Sequence, residues 1–355
     1  MATAAIDQDR FEALMGKALT DIGGALAVLM AYMGDRLGLY KVLEKGGAGT
    51  SAEIAERAGL DERYVREWLS AVAAAGYVDY DAAGETFSLS PEAALIFAAE
   101  GDPRCLQGFF QAVKSVFDDE EKSTEAIRAG RGLGWGDRSP CCFCGTDRFF
   151  RPGYAANLVE AWIPALTGIE DRLKAGAKVA DIGCGHGSST VLMAQAYPNS
   201  SFTGFDFHAP SIEAARAKAR AAGVGNAEFE VAAAKDFPGA DYDFVCIFDA
   251  IHDMGDPAGA AAHIRRALKP DGSFMVVEPL AGDTLGDNMH LLGQIFYSVS
   301  TCACVPASKA QEVGLALGAQ AGEKRLAGVL REGGFASVRR AAQTDTNMVL
   351  EARCA

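Results

Sequence analysis

At 355 residues the chain is long enough for two ordinary domains, and with 49% hydrophobic and 23% charged residues it can bury sizeable cores, which excludes global disorder. A formal net charge of −14 argues against a nucleic-acid substrate, whose phosphates need clustered Lys and Arg. Nine cysteines, an odd number, and no basic-then-apolar leader in "MATAAIDQDRFEALMGK" read as reduced thiols in a cytoplasmic protein; the longest uncharged apolar stretch, Ile22 to Gly34, is too short to span a bilayer.

Apolar residues at helical spacing, among them Leu26, Leu29, Met33, Leu37 and Leu43, predict a helix over 20–45 that Gly46 and Gly47 end. Thr50 and Glu53 form a capping box that opens a second helix, and Asp61 caps a third, "DERYVREWLSAVAAAG". The alternating runs "YVDY" and "TFSLS", joined by "DAAGE", suit a hairpin. Three helices and a ribbon predict a winged helix-turn-helix domain over 1–100. That segment holds 8 Lys and Arg against 16 Asp and Glu, a net of −8, so a dimerisation module is expected and not a DNA reader. Residues 101–131 read as helical. Residues 130–154, "GRGLGWGDRSPCCFCGTDRFFRPGY", show no periodicity and are expected to form an active-site loop, so that 101–154 is a linker between domains.

From residue 178 strands alternate with helices. Strands are predicted at 178–182, 201–206, 227–231, 244–249, 273–278, 336–340 and 347–352. This is the pattern of a doubly wound, Rossmann-like α/β domain over 155–355, with a cap insertion at 283–326.

The first of these strands ends in "VADIGCGHGSST". An acid, Asp181, closes a buried run, and Gly183, Gly185 and Gly187 follow before a helix begins. Such glycines let the backbone approach a ligand and adopt angles closed to other residues. Asp206 ends the next strand, where an acid accepts hydrogen bonds from ribose hydroxyls. The glycines run G-x-G-x-G, not the G-x-G-x-x-G of dinucleotide sites. This spacing resembles the first motif of class I S-adenosylmethionine (SAM) methyltransferases. "AAAKDFP", "FVCIFDAIHDMGDP" and "LKPDGSFMVVEP" fall in the order of that family's later motifs. "RFFRPGY", "GFDFHAPSIEAAR" and "QEVGLALGAQAGE" resemble bacterial methyltransferases with an N-terminal winged helix, similar in layout to plant small-molecule O-methyltransferases. The resemblance implies SAM as cofactor, held by Asp181, Gly183, Gly185, Gly187, Asp206, Phe207, Lys235, Asp236 and Asp249, and a homodimer.

In the plant enzymes a His at the place of His252 is the base that deprotonates the acceptor hydroxyl; here Met254 stands where they carry Trp. Glu278, at the end of the fifth strand, is expected to orient the His252 ring. The acceptor is expected to be a small molecule, met by Arg148, Phe149, Tyr154, His290 and Tyr297. Methyl transfer from a sulfonium needs no metal in principle, and none is expected. Other readings stay open at this level: S-methylation of a thiol or of a thioether such as methylthiohydroxybutyrate, metalloid methylation through Cys141, Cys142, Cys144, Cys302 and Cys304, and a SAM-sensing transcriptional regulator.

Overall fold

The computed structural model describes residues 6–354. The chain divides at Lys114/Ser115 into two compact units. The first begins with α1 (Gln8–Arg36), α2 (Leu39–Gly46), α3 (Ser51–Ala58) and α4 (Glu62–Ala74). The helix expected over 20–45 is therefore two helices. Gly38, in the left-handed region at φ 71°, breaks it, because only glycine takes that turn cheaply. Thr50 and Glu53 complete their capping box, and Asp61 caps α4 through the Tyr64 N–H. The ribbon is β1 (Asp79–Asp81) paired antiparallel with β2 (Thr86–Ser88). Helices α5 (Pro91–Phe97) and α6 (Gln107–Asp118) follow, the latter running across the division. Buried Leu43, Ile54, Val65, Leu69 and Val72 build the core of this unit.

The second unit opens with α7 (Glu120–Ala129), α8 (Pro140–Asn157) and α9 (Ile169–Ala175). The loop expected over 130–154 is largely α8. Ser139 caps it, Pro140 sits in its first turn and Pro152 lies inside it. The α/β pattern then runs β3 (Lys178–Ile182), α10 (Ser188–Ala196), β4 (Ser201–Asp206), α11 (Ala209–Ala222), β5 (Ala227–Val231), β6 (Tyr242–Phe248), α12 (Pro257–Ala267) and β7 (Leu268–Pro279). Helices α13 (Leu291–Cys302) and α14 (Cys304–Lys309) fill the insertion, and α15 (Gly322–Glu332), β8 (Ser337–Gln343) and β9 (Asn347–Arg353) complete the domain.

The seven strands lie in the order β5-β4-β3-β6-β7-β9-β8. Pairing is parallel from β5 to β7, and β9 is antiparallel to both its neighbours. Side chains alternate across the sheet, so Val179, Phe244, Cys246 and Met275 pack on one face and Ala180, Val245, Ile247 and Phe274 on the other. Both faces are covered, which is why the central strands read as continuous apolar runs. Strand order reverses between β3 and β6. Their carboxyl ends open a crevice there, the usual ligand site of such sheets.

Two helical stretches, Gln8–Arg36 and Leu291–Lys309, are long and apolar enough to cross a membrane. The sequence reading missed this because charges interrupt the apolar run of the first, and uncharged polar residues such as Gln294, Ser298, Ser300 and Thr301 that of the second.

Candidate active site

The glycine turn occupies the crevice. Gly183 and Cys184 donate to the Phe205 carbonyl at 2.7 and 3.0 Å, which ties the turn to β4. Gly183, Gly185 and Gly187 have φ of 69°, 51° and 73°. A Cβ on Gly187 would stand 2.6 Å from the Phe229 ring, so this position is closed to other residues by space as well as by conformation. Asp181 lies beneath the turn, where Oδ2 accepts from the Ser189 and Thr190 hydroxyls at 2.6 Å each and Oδ1 is buried without a partner. Burial pushes its carboxyl up to about 6.

A cavity of about 480 Å³ runs along this edge. At one end are Asp206, Phe207 and the small residues Ala232, Ala233 and Ala234; at the other are Phe248, Asp249, Ala250, Asp253, Met254 and Ala307. Trp135, Phe143, Asp147, Phe150 and Tyr154 cover it. Asp206 accepts from the Gly185 N–H at 3.0 Å and the His208 N–H at 2.8 Å, one on each oxygen. Each oxygen keeps lone-pair capacity for a ribose hydroxyl. Small side chains at 232–234 leave a slot for a flat base beside the half-exposed Phe207. These residues fit SAM: Asp206 would hold its ribose, the alanines its adenine, and the glycine turn its methionine end.

The remaining expected cofactor residues divide. Asp249 is on the cavity wall and half-buried, with a left-handed φ of 47°. It accepts from the Tyr154 hydroxyl at 2.7 Å and the Asn347 amide at 2.8 Å. Burial, with Glu278 nearby, pushes it up to about 7. Lys235 also lines the cavity, but its ammonium is held by Asp256 at 2.8 Å and Glu312 at 2.9 Å, which push it up to about 12. Asp236 is not on the wall; its carboxylate turns back to accept from the Ala233 N–H at 3.2 Å, closing its own turn.

His252 sits in the 3₁₀ turn Ile251–Asp253 after β6, at the carboxyl edge of the sheet where it was expected. It is 5% exposed and lies behind the cavity wall, not on it. Its Nδ1 is 2.5 Å from Glu278 Oε2, while Glu278 Oε1 accepts from the Ile251 N–H at 3.0 Å. Nε2 faces Asp253, 3.2 Å away, and Asp253 does line the cavity. Burial alone would pull the imidazole down, but Glu278 and then Asp253 hold it well above its ordinary value.

Of the expected acceptor residues, Tyr154 alone is on the wall. Arg148 and Phe149 are on other sides of α8, where Phe149 packs edge-on against Phe150. His290 is the N-cap of α13, accepting from the Gly293 N–H at 3.2 Å, and Tyr297 reaches Asn288 at 3.5 Å. The sequence reading passed over Phe143 and Asp147, which share the wall with Phe150. With Tyr154 they recur at steps of four, three and four, a helical face that Gly145, Pro152 and Gly153 disguised. None of the nine cysteines is in a disulfide; burial pushes Cys142 and Cys304 up to about 11 each.

A mostly parallel seven-stranded sheet with this strand order, a glycine turn after its first strand and an acid after its second define a class I SAM-dependent methyltransferase domain. Residues 173–333 match the family model described as a methyltransferase domain, and residues 24–98 match that of the Rv2258c-like winged HTH domain; the chain joins one to the other. It is similar to an O-methyltransferase of Penicillium expansum, 32% identical over 30% of this chain and 40% of that protein. It is also similar to the 27-O-demethylrifamycin SV methyltransferase of Amycolatopsis mediterranei, 32% identical over 33% of this chain and 48% of that one. The chain thus spans less than half the length of these curated relatives. The mitomycin 7-O-methyltransferase structure shares its fold, with 18% identity, a TM-score of 0.71 and 97% and 99% of the two chains covered. So does human N-acetylserotonin methyltransferase in complex with SAM, with 14% identity, a TM-score of 0.71 and 99% of each chain covered.

Proposed function

We propose that the protein transfers the methyl group of SAM to an oxygen of an apolar small molecule. The observation that carries this reading is one cavity lined both by Asp206 and Ala232–Ala234, suited to a nucleoside, and by Phe150, Phe248, Met254 and Ala307, among which only Asp249 and Asp253 are set as acids, beside the His252–Glu278 pair. When bound, SAM supplies a methyl group already activated by a sulfonium. The chain's share is alignment, exclusion of water and acceptance of the acceptor's proton. Asp253 lies between the cavity and the ring. The acceptor hydroxyl meets its carboxylate, and the proton ends on His252 Nε2, where Glu278 at Nδ1 stabilises the imidazolium.

The ring must begin neutral. Because its pKa is raised, turnover should climb on the alkaline side of the ordinary imidazole range. His252→Gln is expected to keep SAM affinity, lower kcat by about 10²- to 10⁴-fold and abolish that limb. Full turnover with an unchanged pH profile would rule out the proton role.

We also infer a homodimer built on α1. Phe11, Met15, Leu19, Ile22, Leu26, Leu29, Met33 and Leu37 are all exposed and recur at steps of three and four, an a/d-type seam. A membrane-spanning helix would be apolar all round, whereas this stripe favours pairing with another helix. Cysteines outside any disulfide suit a reducing compartment, and we place the protein in the cytoplasm.

A further inference from the structure

The turn that carries His252 meets α14 at Cys304. His252, Asp253 and Cys304 each offer one ligand atom, and the three atoms lie within 4.8 Å of one another. Tetrahedral zinc with bonds of about 2.0 to 2.3 Å sets its ligands roughly 3.3 to 3.8 Å apart, so small side-chain shifts close the trio on an ion. Glu278 grips Nδ1 at 2.5 Å, which in the neutral ring places the proton there and turns the Nε2 lone pair toward the other two groups. This is the carboxylate–histidine support that metal-ligating imidazoles receive. Asp253 Oδ1 is buried and stands 3.2 Å from Nε2, the ion pair of the protonated ring, and the Cys304 thiol reaches both groups. An ion bound here would replace these mutual contacts with three bonds to itself. His252 and Cys304 are both about 5% exposed, so bulk water does not satisfy them.

We propose that His252 Nε2, Asp253 Oδ1 and Cys304 Sγ bind a divalent cation of the zinc class, with a fourth position open toward the cavity that Asp253 lines. Nitrogen, oxygen and sulfur donors together select zinc over magnesium or calcium, which prefer oxygen alone. Binding forms three metal–ligand bonds and changes no oxidation state. The Cys304 thiol proton, and any proton on Nε2, leave to solvent. Metal and acceptor proton then compete for one lone pair, a consequence that rests on the reaction proposed above.

Cobalt(II) titration of the chelator-treated full chain tests the site. One equivalent should produce thiolate-to-cobalt charge-transfer absorption, and zinc should displace it. Cys304→Ser should remove the band, Glu278→Gln should weaken cobalt binding about 10- to 100-fold, and Cys144→Ser, at an exposed position, should leave it intact. Asp253→Asn, at a less buried position, serves as a second ligand variant, and far-UV circular dichroism confirms that each variant is folded. No band at excess cobalt, or a band that survives Cys304→Ser, overturns the site. Methyl transfer by the metal-free protein is measured in parallel. Turnover without a cobalt band refutes the metal site and leaves the reaction standing; a band without turnover does the reverse.

Discussion

Asp249 shows how much of the site is decided one residue at a time. It sits at a strained backbone angle, half-buried in the cavity wall near Glu278, and is held by Tyr154 and Asn347, residues 95 and 98 positions away. No local pattern announces Asn347, because the contact is made by a strand that enters the sheet last. The glycine turn was legible because its requirement is local: a strand end, three left-handed glycines and a helix start lie within ten residues. Asp236 and Asp249 are both acids after strands, and a single turn decides which one faces the cavity. Asp249 also titrates in a testable way. Its folded pKa, about 7, is raised above the ordinary 3.9, so the folded state binds this proton more tightly than the unfolded state does. Its contribution to stability is therefore greatest below pH 4 and declines as pH rises toward 7. Thermal melts of Asp249→Asn should show the difference from the native protein moving in the variant's favour between pH 4 and 7, then levelling. A difference independent of pH would contradict this placement of the charge.

Among the elements, α8 departs furthest from its sequence reading. Gly145, Gly153 and Pro152 give it poor intrinsic propensity, yet it is an 18-residue helix whose one face closes the cavity. Tertiary bonds hold it. Asp147 accepts from the Ser188 hydroxyl at 2.6 Å and from the Lys218 ammonium at 2.8 Å, which fastens α8 to the first residue of α10 beside the glycine turn. Burial pushes the Asp147 carboxyl up, but Lys218 and Ser188 outweigh it and keep it below its usual range. Asp147→Ala should free the helix. Faster amide exchange over residues 140–157, with a roughly 10-fold or greater loss of SAM affinity, is expected from losing charge-assisted bonds. Unchanged exchange would show that packing alone fixes α8. The central strands β3, β4 and β6 were readable to within two residues, because a sheet covered on both faces forces apolar runs, whereas β7 begins five residues before its expected start and β8 runs three past its expected end. The break at Gly38 was not readable, since apolar periodicity continues across it.

At the scale of the molecule, the cavity sets a few acids, Asp206, Asp249 and Asp253 among them, in a wall of aromatic and small side chains, which suits a small acceptor. The α1 stripe predicts self-association: Leu26→Glu should halve the mass found by light scattering while leaving the methyltransferase unit folded. An unchanged dimer would place the interface elsewhere. The overall layout was visible in the order of motifs along the chain. What the order did not convey is that His252 is shielded, because the insertion helix bearing Cys304 folds over it. The most direct test of the proposed reaction is incubation of the reduced, chelator-treated protein with methyl-labelled SAM and a panel of phenols, hydroxy acids, thiols and thioethers, followed by mass identification of the product. Label on an oxygen of an apolar acceptor is expected. Label on sulfur, or SAM bound with no product from any acceptor, would contradict O-methyl transfer.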